Sequence, residues 1–146
     1  MTAKLVVCPG CRSLNRVPEE RLRDHPKCGA CKAPLIDGHP VALGRDDFQL
    51  HVERNEIPLV VDFWAPWCGP CRVMAPVFER VAGEWRGQAR FAKVDTEAEQ
   101  DLAARYSIRS IPTLVIFRDG REIGRTAGAM DAASLDRWIR QGLARA

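Results

Sequence analysis

Residues 59–71 have the sequence LVVDFWAPWCGPC, and this stretch decides the fold. Its first six residues are almost continuously apolar, as in a strand that is buried on both faces of a sheet. Beyond it, apolar residues recur at helical spacing: Met74, Val77, Phe78, Val81, Ala82 and Trp85. The CxxC pair of Cys68 and Cys71 is therefore expected where the carboxyl end of a strand turns into a helix.

The first turn of a helix favours a reactive cysteine. Unpaired backbone amides and the helix dipole lower the pKa of a thiol there, and the thiolate is the form that attacks disulfides. Cys68 is the predicted nucleophile, and Cys71, one turn inside the helix, is its shielded partner. A zinc site at this pair is the alternative, but no further CxxC pair or neighbouring pair of histidines completes it.

The other cysteines form two CxxC pairs near the N-terminus: Cys8, Cys11, Cys28 and Cys31. Their spacing matches a four-cysteine zinc site, because two tight turns can each offer two thiolates to a tetrahedral ion. Few apolar residues lie between the pairs, so metal binding would supply much of the folding free energy. We predict one structural zinc ion per chain. Two redox disulfides or an iron centre are the alternatives, and His25 is expected at the surface.

Composition indicates two units in a chain of 146 residues. It is 46% hydrophobic, which excludes a disordered chain and suffices for a core of about 100 residues with a small appendage. Residues 1–36 carry an excess of basic side chains, whereas residues 37–146 are nearly balanced. A nucleic-acid surface on the first unit is disfavoured, because no aromatic residue precedes Phe48.

Targeting signals and membrane spans are absent from the sequence pattern. No apolar run approaches the roughly 18 residues of a membrane helix, and Met1–Val7 is too short for a secretory signal before Cys8 interrupts it. A soluble, cytoplasmic protein is expected.

Strand and helix patterns alternate after the linker. Strands at about 58–65 and 90–95 flank the helix that follows Cys68, which predicts a βαβ unit. A hairpin is expected from residues 113–117 and 123–126, joined through Asp119-Gly120.

Helix starts are predicted from capping residues. Asp46 with Gln49, and Thr96 with Glu99, match the capping-box pattern. Asp131 is expected to cap a last helix with an apolar face of Leu135, Trp138, Ile139 and Leu143.

Four blocks of the sequence resemble the thioredoxin family in order and spacing. They are VDFWAPWCGPC at 61–71, FAKVD at 91–95, YSIRSIPTL at 106–114 and AGA at 127–129. With the two N-terminal CxxC pairs, the whole chain resembles the zinc-containing bacterial thioredoxins of the thioredoxin 2 type.

The resemblance implies an α/β architecture. We expect a thioredoxin fold, with a mixed central sheet flanked by helices, behind a small N-terminal module similar to a zinc ribbon. The expected boundaries are a four-cysteine zinc-binding module at 1–36, a linker at 37–42 and a thioredoxin domain at 43–146.

Asp62 is the unusual residue of its strand. A carboxylate in an apolar run is costly when ionised, so its pKa should rise towards the range of a general base. An orientation towards solvent at the strand end is the alternative. The resemblance implies that Asp62 accepts a proton from Cys71 and that Lys93 lies nearby and modulates it.

The resemblance also implies a substrate surface. In the family, the bond matching Ile111–Pro112 is cis and places the chain beside the cysteine pair, where the Ile111 backbone could pair with an extended peptide. The expected substrate-binding residues are Trp67, Gly69, Pro70, Ile111, Pro112 and Gly128.

These features together predict a protein-disulfide reductase with a redox-active Cys68–Cys71 disulfide. The resemblance implies reduction by a flavin-dependent thioredoxin reductase with NADPH. We also expect diverse protein substrates, no bound flavin or nicotinamide, and a monomer. A disulfide oxidant or isomerase is one rival, disfavoured because Gly69-Pro70 is similar to the reducing members. A binding module without dithiol chemistry is another, and the zinc module could itself respond to peroxide.

Overall fold

A computed structural model describes residues 2–145; Met1 and Ala146, the outer limits of the two predicted units, lie outside the described residues. The chain begins with a two-stranded antiparallel sheet of β1 (Ala3–Val7) and β2 (Leu14–Pro18). A short 3-10 helix at Glu19–Arg21 follows. A small core packs this unit against Ile57 of the following domain and includes two of the cysteines. Its members are Val6, Cys8, Val17, Leu22, Cys28, Leu35, Ile36 and Ile57.

A second sheet, of five strands, and four helices form the rest of the chain. The strands are β3 (Val41–Ala42), β4 (Leu59–Trp64), β5 (Arg90–Asp95), β6 (Thr113–Arg118) and β7 (Arg121–Ala127). The helices are α1 (Phe48–Arg54), α2 (Gly69–Glu84), α3 (Gln100–Arg105) and α4 (Ala132–Arg145). The strand order is β3-β5-β4-β6-β7. Both β3 and β4 run parallel to β5, whereas β6 is antiparallel to β4 and β7. The predicted mixed sheet is confirmed.

Strand β4 carries the alternation that builds a core on each face of the sheet. Val60 packs with the buried residues of α2 and α4, among them Phe78 and Ile139. Its neighbour Val61 packs on the opposite face with Phe48 of α1 and other apolar side chains. Because β4 is buried on both faces, its carboxyl end is held rigidly where α2 begins.

The predicted βαβ unit and hairpin are both present. β4, α2 and β5 form the crossover, with Pro76 inside α2. The hairpin of β6 and β7 turns at Asp119 and Gly120, which both have positive φ. That conformation is typical of a type I′ turn and favours glycine at the second position.

The structure corrects two details of the sequence prediction. Val41 and Ala42, assigned to the linker, pair with β5 as an edge strand, a contact that two isolated residues do not reveal. Neither predicted capping box forms, since α1 begins after Asp47 and α3 after Glu99, and neither of these residues caps its helix through a side chain. The Asp131 cap is confirmed, because its carboxylate accepts the Ser134 N–H at 2.8 Å.

The length and polarity of each helix determine whether it could cross a membrane. Within residues 2–145, every helix is too short or too polar to cross a bilayer.

Candidate active site and metal centre

Cys68 and Cys71 form a disulfide at the start of α2. Cys68 is the N-cap residue of the helix, and its Sγ accepts the N–H of Cys71 at 3.2 Å. Both cysteines are buried, although Trp67 and Gly69 on either side of Cys68 are exposed. The predicted strand-to-helix placement of this pair is therefore confirmed, and the backbone N–H of Cys71 is directed at the sulfur that would carry charge on reduction.

Asp62 lies behind the disulfide, in the middle of β4. Only 4% of the residue is exposed, so the solvent-facing alternative is wrong. Its Oδ1 has no hydrogen-bond partner among the residues that the structure describes. Burial raises the pKa of this carboxyl to about 7, and the nearby charge of Lys93 opposes part of the rise. A carboxyl with such a pKa can exchange a proton near neutral pH.

A cavity of about 140 Å³ connects this acid to the cysteine pair. Asp62 and Cys71 line it together with Lys93, Trp64 and Glu79, and Pro40 of the linker closes part of it. The cavity is large enough for water and has polar groups on its wall. Asp62 and Cys71 thus line the same cavity, through which a proton can pass between them.

Lys93 lies beside Asp62, as the resemblance implied. The two are register partners on the parallel strands β5 and β4. The Lys93 side chain is exposed, and its Nζ lies 5.5 Å from the centre of the Trp64 ring. A solvent-facing cation held at this point favours ionisation of the acid without being buried with it.

The predicted substrate-binding residues gather around the disulfide. Trp67 is 68% exposed, and Gly69 and Pro70 open α2 beside it. The Ile111–Pro112 bond is cis, and the Ile111 carbonyl oxygen lies 3.8 Å from Cys68 Sγ.

Gly128 completes this surface at the end of β7. Its N–H donates to the Pro112 carbonyl oxygen at 2.9 Å, and its φ of 99° lies in the region that favours glycine. Pro112 itself is buried, which limits what it presents to a partner.

The four N-terminal cysteines converge into one cluster. Their Sγ atoms all lie within 4.8 Å of one another, and the Cys8–Cys31 and Cys11–Cys28 pairs are each 3.6 Å apart. A tetrahedral zinc ion with Zn–S distances of about 2.3 Å places its sulfurs about 3.8 Å apart, so the cluster fits such an ion. The four cysteines are positioned to bind a metal, as their spacing predicted.

Backbone and side-chain donors favour the thiolate form of Cys28 in this cluster. The N–H of Cys31 and the amide of Asn15 lower the pKa of Cys28 to about 6. Cys11 in turn donates its N–H to Cys8 Sγ at 3.5 Å. Sequence analysis did not single out Asn15, because an asparagine between two cysteine pairs carries no spacing signal.

A cysteine pair in this setting can act by breaking and re-forming its own bond. The fold and the disulfide therefore define a thiol-disulfide oxidoreductase with a thioredoxin fold. Comparison with known families agrees. The thioredoxin family matches residues 39–141, and the family described as "Thioredoxin 2, N-terminal" matches residues 7–33. The chain belongs to the thioredoxin family and carries the N-terminal module of the thioredoxin 2 type.

Individual relatives give the same result. The chain is 42% identical to thioredoxin C-3 of Corynebacterium nephridii over 95% of both chains. It is 46% identical to thioredoxin 1 of Synechococcus elongatus over 60% of this chain and 82% of the relative. Among solved structures, Malassezia sympodialis thioredoxin superposes with a TM-score of 0.63 at 34% identity, covering 69% of this chain and 88% of that one.

Proposed function

We propose that the chain is a protein-disulfide reductase in which Cys68 is the nucleophile and Cys71 resolves the intermediate. The observation that carries this assignment is the position of Cys68 at the N-cap of α2, where its Sγ accepts the Cys71 N–H. That donor and the helix dipole favour the Cys68 thiolate, the species that attacks disulfides. Cys71 is 2% exposed, which suits a residue that reacts only within the site.

The reaction proceeds in two exchanges. The Cys68 thiolate attacks one sulfur of a substrate disulfide, forms a mixed disulfide and releases the other substrate sulfur as a thiolate. Cys71 then loses its proton and attacks Cys68 Sγ. The Cys68–Cys71 disulfide forms and the second substrate sulfur leaves, so two electrons pass from the protein to the substrate.

Asp62 is the proposed base for the second exchange. It lines the same cavity as Cys71, and its pKa of about 7 lets it accept a proton at neutral pH. Lys93 acts as a positioning residue, since its charge opposes the rise in the pKa of Asp62 that burial causes.

The proposed docking surface for the substrate consists of Trp67, Gly69, Pro70, Ile111, Pro112 and Gly128. Trp67 supplies exposed apolar area next to the disulfide. The Ile111 backbone beside Cys68 can pair with an extended peptide in the manner of an added strand. Contacts made through the backbone and a flat apolar face suit diverse protein disulfides.

The electrons would come from a thioredoxin reductase and NADPH, as the family resemblance implies. Neither a flavin nor a nicotinamide is needed on this chain, because the reduced Cys68/Cys71 dithiol itself carries the two electrons. We place this reductase in the cytoplasm, since cytoplasmic thiols are kept reduced. We also propose that it is a monomer.

We expect the full chain to catalyse NADPH oxidation when it is mixed with a bacterial thioredoxin reductase and a protein disulfide such as insulin. The rate should depend on all three components, and the Cys68→Ser/Cys71→Ser double variant should show none of it. Absorbance at the NADPH band measures the rate. A reduction potential in the oxidising range against glutathione, with no reductase-dependent turnover, would instead support the disulfide oxidant.

We further propose that Cys8, Cys11, Cys28 and Cys31 hold one structural zinc ion. The fit of the sulfur cluster and the backbone N–H donors to Cys8 and Cys28 support a tetrathiolate site. Bound zinc would cross-link the two CxxC turns of the N-terminal module.

Metal content tests this assignment. Reduced full-length protein should hold one zinc ion per chain by elemental analysis, and the Cys11→Ser/Cys31→Ser double variant should hold none, because only two ligands remain. The Cys68→Ser/Cys71→Ser variant is the matched control and should retain its zinc. Iron in place of zinc, or a metal-free reduced chain, would contradict the assignment.

A further inference from the structure

Arg90 is a buried cation at the start of β5, on the thioredoxin side of the chain. Only 4% of the residue is exposed, and it is the only buried Lys or Arg among the residues that the structure describes. A buried guanidinium is costly unless its donors are paired and a negative charge lies near. The hydrogen-bond partners and the charges around Arg90 therefore indicate its structural role.

The guanidinium of Arg90 donates to two carbonyl groups of the N-terminal module. Nη2 donates to the Val7 oxygen and Nη1 to the Leu35 oxygen, each at 2.8 Å. Val7 directly precedes the first cysteine ligand, Cys8, and Leu35 follows the last one, Cys31. One planar side chain thus fixes the backbone on both sides of the ligand-bearing segment.

Two further residues of the thioredoxin domain, Asn55 and Glu56, form hydrogen bonds with β1, the strand that ends at Val7. The Asn55 Oδ1 accepts the Val7 N–H at 3.0 Å. The Glu56 carboxylate accepts the Leu5 N–H at 2.7 Å, and the Glu56 N–H donates to the Leu5 oxygen at 2.8 Å. β1 is therefore held at alternate residues, and the position of Cys8 is set by the domain that carries the active site.

The charge of Arg90 also complements the metal site. Four thiolates around a divalent ion leave a net charge of −2, while the basic side chains of residues 2–36 are exposed or half-buried. Burial lowers the pKa of Arg90 only to about 10, because the nearby charges of Asp37 and, less strongly, Cys8 favour its protonated form. His51, buried beside it, stays neutral, because burial and the charge of Arg90 lower its pKa to about 3.

We propose that Arg90 is a positioning residue for the metal site, through which the thioredoxin domain fixes the Cys8 and Cys31 segments and supplies a buried countercharge to the thiolates. The inference rests on the proposed zinc assignment. It makes the metal site a property of the whole chain rather than of residues 1–36 alone. The thioredoxin domain then slows release of the ion.

The test compares zinc release from Arg90→Met with release from Arg86→Met in the full chain. Arg86 is a matched control, since its Nη1 also donates to a carbonyl of the N-terminal module, Arg23 O at 3.0 Å, but Arg86 is only half-buried and Arg23 is not next to a cysteine ligand in the sequence. With a chromogenic chelator in excess, we expect release from Arg90→Met to be at least about tenfold faster than from the wild type. Release from Arg86→Met should change less than about twofold, and Arg90→Lys should be intermediate.

A second measurement separates this role from general stabilisation. Thermal unfolding of each variant is recorded with zinc and after zinc removal. Replacing a positioning residue should lower the stability of the zinc form more than that of the zinc-free form. Replacing a residue that only packs the two units together should lower the stability of both forms equally.

Equal release rates for Arg90→Met and Arg86→Met would overturn the inference even if wild-type zinc is present. If Arg90→Met does not fold, the rates of zinc release from Arg90→Lys and Arg86→Lys are compared instead, and equal rates would again overturn the inference. A reduced wild-type chain without zinc would overturn the metal assignment first, and this inference with it.

Discussion

Replacing Cys71 with serine is expected to trap a covalent complex between the chain and its protein substrates. Cys68 can still attack a substrate disulfide, but without the Cys71 thiol nothing resolves the mixed disulfide. Replacing Cys68 with serine should instead abolish both the adduct and turnover, because the group at the start of α2 is no longer a thiolate. This asymmetry is the largest effect that the account predicts.

Non-reducing electrophoresis and intact-mass analysis check this result. The Cys71→Ser chain mixed with disulfide-bonded insulin should gain the mass of one insulin molecule, because a single exchange leaves the second interchain disulfide of insulin intact, and dithiothreitol should remove the adduct. The Cys68→Ser/Cys71→Ser double variant is the control and should gain nothing. Adducts of equal yield on Cys68→Ser and Cys71→Ser would contradict the assignment of nucleophile and resolving residue.

Replacing Asp62 with asparagine is expected to stabilise the oxidised protein above neutral pH. The folded-state pKa of about 7 lies well above the unfolded value of about 3.9. The folded chain therefore binds the proton more tightly, and the wild type loses stability as pH rises from about 4 through 7. The gain for Asp62→Asn should reach about 3–4 kcal/mol near pH 8 and shrink towards zero near pH 4.

Denaturant unfolding of the oxidised protein at several pH values measures this gain. Asp101→Asn, which changes an exposed carboxylate on α3, is the control and should give no comparable gain in stability. A pH-independent difference between Asp62→Asn and the wild type would show that Asp62 does not bind its proton more tightly in the folded chain.

The same variant should be slower in catalysis. Without a base in the shared cavity, release of substrate from the mixed disulfide should slow by about ten- to a hundredfold at pH 7. The loss should shrink near pH 9, where solvent can remove the Cys71 proton unaided. Stopped-flow measurement of the second exchange tests this, and an unchanged rate at pH 7 would exclude Asp62 as the base.

Local patterns predicted the part of the fold that carries the chemistry. An apolar run followed by helical spacing indicated β4 and α2, and the structure places the Cys68–Cys71 disulfide at their junction. Burial of Asp62 followed from the same run, because a central strand has no solvent-facing side. Spacing alone likewise identified the four-cysteine cluster.

Features that depend on contacts between distant parts of the chain could not be predicted from the sequence. β3 is two residues long and exists because it pairs with β5. The capping pattern at Asp46 failed because the loop instead directs the Asp47 carboxylate to the Gly44 N–H at 2.9 Å. Arg90 is an ordinary charged residue in the sequence, and only carbonyl groups 55 and 83 positions away explain its burial.

The central claim is that electrons pass through Cys68 and Cys71 while the N-terminal cysteines serve the metal. The most direct measurement is mass-spectrometric mapping of differentially alkylated cysteines after the reduced, zinc-loaded chain reacts with one equivalent of a protein disulfide. The account predicts that Cys68 and Cys71 alone become oxidised, with the zinc retained. Oxidation of Cys8, Cys11, Cys28 or Cys31 with release of zinc, while Cys68 and Cys71 remain thiols, would contradict it.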